Sequence, residues 1–348
     1  FNQLESELRS AVPRVAEANA GSRPRFRRVG RWPGWLPRRS VLLVALMLSY
    51  SRGAVLAAAI GVAFWFAVVP LRLRALALLA TAGLPAAAVV AWAFRQPSLS
   101  HDHVALAARS AAGHRLGLLL LAALAVTLVA ALAVRFAADR TPLSAQRRRS
   151  LGIAALVALA LVPVAGIGAL AHSSRGLFGT ISHGWHSLTT PNAQQPTNTP
   201  GRFISTGSMQ ALYWDYALKV FGTSPALGAG AGAYPIADQR FMTGTALAEN
   251  AHSYVFQTLA DLGLVGLALS LAVVLGWGFA ALRAGGPFRA RAPDAGSAER
   301  IGLRTMIAVV ITFAVHSAID WTWFVPGDAV IALLCAGWVA GRGPAHSR

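Results

Sequence analysis

The feature that most constrains this chain is a succession of apolar runs near or beyond membrane-crossing length, broken up by arginines. A helix needs roughly 20 apolar residues to span about 30 Å of hydrocarbon. Inside lipid, each backbone polar group must be satisfied within the structure, which favours helices. With 55% hydrophobic residues, 13% charged residues and a mean hydropathy of +0.52, the expected class is all-α, a polytopic integral membrane helical bundle. The single cysteine, Cys335, lies inside an apolar run. That excludes a disulfide framework and a cysteine metal site.

The net charge of +18 is carried almost wholly by arginine, Lys219 being the one lysine. A pI near 11.7 in a soluble protein would point to nucleic acid. Here the arginines sit between apolar runs, the pattern of a positive-inside bias, and no nucleic-acid partner is expected. The same bias resolves residues 41–70, which are apolar except for Ser51-Arg52-Gly53. A single span there divides the basic residues almost evenly between the two faces. A hairpin turning at Ser-Arg-Gly leaves only Arg52, Arg95, Arg109, Arg115, Arg175, Arg202, Lys219 and Arg240 on the outer face. The hairpin is therefore expected, with Arg52 at or just inside the outer surface.

Further spans are expected at 75–94, 116–134, 151–171, 263–282, 305–324 and 327–341, about eight membrane segments in all. The chain then divides into a basic cytoplasmic loop or tail (1–40), membrane helices (41–171), a long extracytoplasmic loop (172–262), membrane helices (263–341) and a cytoplasmic tail (342–348). Opening on Phe1 without a signal-peptide pattern, it reads as the C-terminal part of a longer protein. Within the long loop, 189–201 is rich in Pro, Asn and Thr and expected to be irregular. Residues 208–221 read as an amphipathic helix with Leu212, Tyr216 and Val220 on one face. Gly228-Ala-Gly-Ala-Gly232 lacks the Lys-Ser/Thr of a phosphate loop and reads as a tight turn.

The residues able to carry chemistry gather around the outer loops. Glu249 and His252 stand three apart at the start of an amphipathic run (Tyr254, Val255, Leu259, Leu262) that leads into a span at Gly263 and Gly266. A histidine at the lip of a membrane suits proton transfer with a lipid-borne substrate, and it equally suits packing at headgroup level. Arg52 within an apolar stretch costs several kcal/mol unless partnered. Its planar fork matches a phosphate or pyrophosphate, though it also suits a snorkelling anchor. His316 and Asp320 share a helix face, as a structural pair or as support for a site, beside the interfacial Trp321 and Trp323. His101 with His103, and His183 with His186, lack the companions of a metal site, so no metal is expected.

The ordered set of motifs carries a resemblance. Ser51-Arg52-Gly53 between two apolar runs, Tyr213-Trp214-Asp215-Tyr216, the turn 225–232, Ala251-His252-Ser253-Tyr254 and the stretch 257–266 follow one another as in the O-antigen ligase and polymerase superfamily. The likeness covers roughly 41–341. Gly201-Arg202 and His316–Asp320-Trp321 further resemble members from high-GC Gram-positive bacteria. The resemblance implies a metal-independent, inverting glycan transfer at the outer face of a bacterial plasma membrane, without a cofactor. The donor it implies is a glycan on undecaprenyl pyrophosphate, and the acceptor a hydroxyl of a glycan, lipid or protein. By this likeness His252 is the base, with Glu249 orienting it or capping its helix, and Arg52 and Arg202 hold the pyrophosphate. Trp214, His316 and Asp320 support them. The family often places an arginine four residues before the loop tryptophan, and here Gln210 stands there, with Arg202 as the candidate substitute. Ligase and polymerase are not separated, and a transporter for a lipid-linked glycan is the alternative from another class. Clustering of titratable residues in the outer loops, without related halves, favours the enzyme.

Overall fold

The computed structural model describes residues 36–69, 72–140, 144–190, 197–203, 205, 209–242, 249–286 and 297–342. The expected basic segment 1–40 lies outside them, except that 36–40 already belong to a helix. Most of the expected tail 342–348 and part of the irregular stretch 189–201 also lie outside. Among the described residues the elements are helices and turns. The long ones are α1 (Leu36–Leu48), α2 (Arg52–Val68), α3 (Arg72–Ala93), α4 (Leu106–Arg140), α5 (Ala145–Ala171), α6 (Gly176–Thr189), α7 (Gln210–Thr223), α8 (Tyr254–Gly285), α9 (Ala298–Ile319) and α10 (Pro326–Arg342).

Four stretches are long and apolar enough to cross a membrane: Ala75–Ala93, Leu106–Val134, Tyr254–Gly285 and Ala298–Ile319. Arg52–Val68 is apolar but shorter. Four of the roughly eight expected segments thus meet the criterion among the described residues. The boundaries also shift. The loop expected over 95–115 is helical from Leu106 onward, and the span expected to run to 324 stops at Ile319. Asp320 is extended there (φ −152°, ψ 177°), and a single 3₁₀ turn, Thr322–Phe324, follows.

The apolar stretch 41–70 is two helices, because Ser51 starts a new one. Its side chain accepts the Ala54 amide at 3.1 Å, an N-cap that makes the arginine the first helical residue. Tyr50, just before it, takes φ +51°, which turns the chain. The two helices then go to different neighbours. α1 packs with α3 and α4 around Val44, Ala86, Val89, Val90 and Ala123. Among these helices Ser40 donates to the Ala82 carbonyl and meets the Thr127 hydroxyl at 2.9 Å.

α2 packs on α9 through a small-residue stripe, Gly53, Ala57 and Gly61. Such stripes let helix backbones approach closely where lipid removes the hydrophobic drive for association. A Cβ on Gly61 would fall 1.9 Å from the Thr312 hydroxyl, and one on Gly53 would fall 3.2 Å from Ile319. Gly53 therefore lies beside the end of α9. The Val68 carbonyl meets Arg304 near its start, so the two helices run antiparallel.

The two ends of this bundle differ. At one end Arg304, fully buried, donates to the carbonyls of Val68, Gly285 and Gly286, the open C-terminal groups of α2 and α8. Arg342 bonds Glu299 at the same end. The other end carries the chemistry.

Candidate active site

His252 sits in the left-handed region, φ +48°, immediately before α8. A non-glycine residue there costs of order 1–3 kcal/mol and persists only where its surroundings over-determine it. They do so here. The Ala251 amide donates to Gln257 Oε1 at 2.8 Å, and the His252 amide donates to Asn250 Oδ1 at 3.1 Å. Ser253 caps α8 and donates its hydroxyl to the Ala318 carbonyl at 2.7 Å. The imidazole stacks on Tyr213, centroids 4.9 Å apart, and leans toward Trp321.

The carboxylate facing this histidine is Asp320, whose Oδ1 lies 3.3 Å from His252 Nδ1. Its Oδ2 lies 3.7 Å from His316 Nε2, so one carboxylate stands between two histidines. Burial would push the Asp320 carboxyl up. The hydrogen bonds from His252 and the Trp321 amide, with the charges of His252 and His316, outweigh burial and hold it below the usual carboxylate range. A neutral His252 then keeps its proton on Nδ1, toward Asp320, and leaves Nε2 as an acceptor.

The end of α9 is built into the site. Its last-turn carbonyls have no helical partner. Ala318 accepts from the Ser253 hydroxyl, and Ile319 accepts from Gln210 Nε2 at 2.9 Å. Gln210, the position where an arginine was expected by likeness, thus ties the start of α7 to the end of α9. Trp214 stacks on Phe256 at 5.1 Å and joins α7 to α8.

The second group is cationic. Arg52 donates to the Ser205 carbonyl. Arg202, in the single turn Pro200–Phe203, bonds Asn198 and acts electrostatically on Arg52 across 150 positions of chain. An aromatic trio brings the segment there. Phe203 packs on Tyr50 and Phe94, each at 6.0 Å, and those two stack at 5.6 Å. Gly53, the residue after Arg52, lies beside the histidines: a Cβ added to it would be 3.5 Å from the His316 ring.

Residues 40–271 match the sequence model of the family described as O-Antigen ligase, well over half of the chain. The chain belongs to the O-antigen ligase family. No curated protein matches it. The family's members are membrane ligases or polymerases of the glycosyltransferase type, and membership implies lipid-linked glycan substrates. The matched region holds Arg52, Arg202, Gln210, Trp214, Glu249 and His252, whereas His316 and Asp320 lie beyond it.

Sequence reasoning brought most of these residues to notice singly and missed their pairing. Glu249, expected beside His252, is exposed, and the helix cap is Ser253. Asp320 was visible as the partner of His316 through their i, i+4 spacing, but its contact with His252 spans 68 positions. Tyr213 stood in the motif 213–216 without a sign that it stacks on His252, and the aromatic trio had no sequence signal of its own.

Proposed function

We propose that this O-antigen ligase family member joins a glycan, carried on undecaprenyl pyrophosphate, to an acceptor hydroxyl at the outer face of a bacterial plasma membrane. The observation that carries the reading is the convergence of the His252–Asp320 pair with Arg52 and Arg202 at one end of the bundle. His252 Nε2 takes the proton of the acceptor hydroxyl, and Asp320 holds the tautomer that leaves Nε2 free. The acceptor oxygen bonds to the anomeric carbon from the face opposite the leaving group, which inverts it. The bond to the pyrophosphate oxygen breaks, and its electron pair leaves with the pyrophosphate. Arg52 and Arg202 offset that developing charge, so the step requires no metal. The long segment 172–262 is, on this reading, the extracytoplasmic part that supplies the base and one arginine, with Trp214, Gln210 and His316 supporting it.

His252→Ala in the native host tests this. Loss of finished surface glycan, with undecaprenyl-linked precursor accumulating at unchanged protein level, is the expected result, since a positioned base contributes about 10²–10⁴-fold. Unchanged glycan would remove the base and the reading with it. Polymerase and ligase part at the same readout. A single unpolymerised unit marks the first, and long unattached chains mark the second.

A further inference from the structure

Below His252 runs a buried hydrogen-bond chain in which the roles of donor and acceptor are forced. The Ala251 amide can only donate, so Gln257 must turn its oxygen toward it, at 2.8 Å. The Gln257 Nε2 then faces Asp261 Oδ2 at 2.9 Å, and Asp261 Oδ1 accepts the Tyr234 amide at 2.9 Å. Ala251 and Tyr234 are fully buried, and Gln257 and Asp261 are 7% exposed. Tyr234 returns to the site, its hydroxyl donating at 3.1 Å to the carbonyl of Tyr213, the ring stacked on His252. The backbone that carries the imidazole and its stacking partner Tyr213 are therefore both tied to one glutamine–carboxylate pair.

We infer that Gln257 and Asp261 are positioning residues for His252. They hold its left-handed backbone so that Nδ1 meets Asp320 and Nε2 faces the acceptor. This rests on His252 being the base, as proposed above. Neither residue touches substrate, so their loss displaces the base without weakening donor binding, and misplacement on the ångström scale costs up to about a hundredfold in rate.

The forced polarity supplies the test. Asp261→Asn sets an amide NH₂ against the Gln257 NH₂, and Gln257→Glu sets two carboxylates together. Combined, Q257E/D261N restores every bond with the direction of one reversed. The amide introduced at position 261 donates to the carboxylate introduced at position 257, which still accepts from Ala251. The full chain in host membranes, which supply the acceptor, is given the host's own lipid-linked oligosaccharide, and release of undecaprenyl pyrophosphate is followed. Rates are normalised to folded protein from size-exclusion chromatography.

Each single variant is expected to lose about ten- to a hundredfold in kcat at unchanged KM for the donor, and the double variant to recover most of it. Wild-type kcat per folded molecule in the single variants, or a loss confined to folded yield, overturns the proposal. So does a double variant no better than either single one. If a single variant does not fold, Gln257→Met removes both bonds of the glutamine, to the Ala251 amide and to Asp261, without setting like groups together, and must show the same loss of kcat. Should His252→Ala itself retain full activity, the reading of the base has failed, and that outcome is distinct from the failure of its supports.

Discussion

Asp320 combines two interactions that a sequence presents separately, and its charge state follows from both. The hydrogen bonds and histidine charges around it outweigh burial and hold its carboxyl low, so it is ionised across the physiological range. In the unfolded chain an aspartate titrates near about 3.9. The folded value lies below that, so the stabilisation from this carboxylate is complete above the ordinary carboxylate range. It is lost as pH falls through the folded value. The melting midpoint of the wild type should therefore exceed that of Asp320→Asn near neutral pH, and the margin should shrink below about pH 4. A margin that persists unchanged in acid would show that the charge is not what Asn removes. At neutral pH the same substitution should lower transfer about tenfold or more, because an amide facing Nδ1 no longer selects the tautomer with Nε2 free. A variant with wild-type transfer would leave Asp320 a purely structural partner of His316.

At the scale of elements, the turn 225–232 and the kink in α8 are two halves of one clasp. The amides of Ala229 and Gly230 donate to the carbonyls of Ala260 and Asp261, and those of Leu264 and Val265 donate to Pro225 and Ala226, all within 2.8–3.1 Å. The kink frees four backbone groups of the helix, and the turn satisfies each of them. Gly263 makes this possible with φ 63°, ψ −159°, a conformation essentially reserved for glycine. A Cβ there would lie 2.5 Å from the Ala226 carbonyl carbon. Gly263→Ala should cost the strain of about 1–3 kcal/mol before the clash is counted, seen as a lower melting midpoint and less monodisperse protein. Gly276→Ala in the same helix, with open space around its Cβ, should melt at or above the wild type. Equal melting of the two variants would show that the clasp does not set the kink. The glycines were legible as a turn and as a change of direction, because glycine at close spacing before an apolar run permits little else. That the two meet was not legible, since backbone-to-backbone pairing leaves no side-chain pattern to read.

At the scale of the molecule, the break at Ser51 fixes the direction of each later helix, and so places the site and the arginine-rich end at opposite ends of the bundle. The break could be read in advance because a polar triplet in an apolar run and the distribution of arginines both demanded it. The short contact of α2 with α9 followed from the Gly53–Ala57–Gly61 spacing only once the partner was known. Arg304 looked like one more basic residue at a helix start, yet it is wholly buried, binding the open ends of α2 and α8. Burial of an arginine with its partners at one end is what a lipid-facing bundle can tolerate, whereas the exposed arginines of the same end, such as Arg140, Arg147 and Arg149, need a headgroup or water. On the proposed reading, the positive-inside bias puts that end in the cytoplasm and the His252 end outside. With Cys335 first replaced by alanine, Gln239→Cys and Gln146→Cys test the assignment, both residues being exposed, the first in the segment that follows Tyr234 and the second at the start of α5. A membrane-impermeant maleimide should label Gln239→Cys in intact cells and reach Gln146→Cys only after permeabilisation. The reverse order would place His252, Arg52 and Arg202 in the cytoplasm, and transfer at the outer face could not then proceed through them.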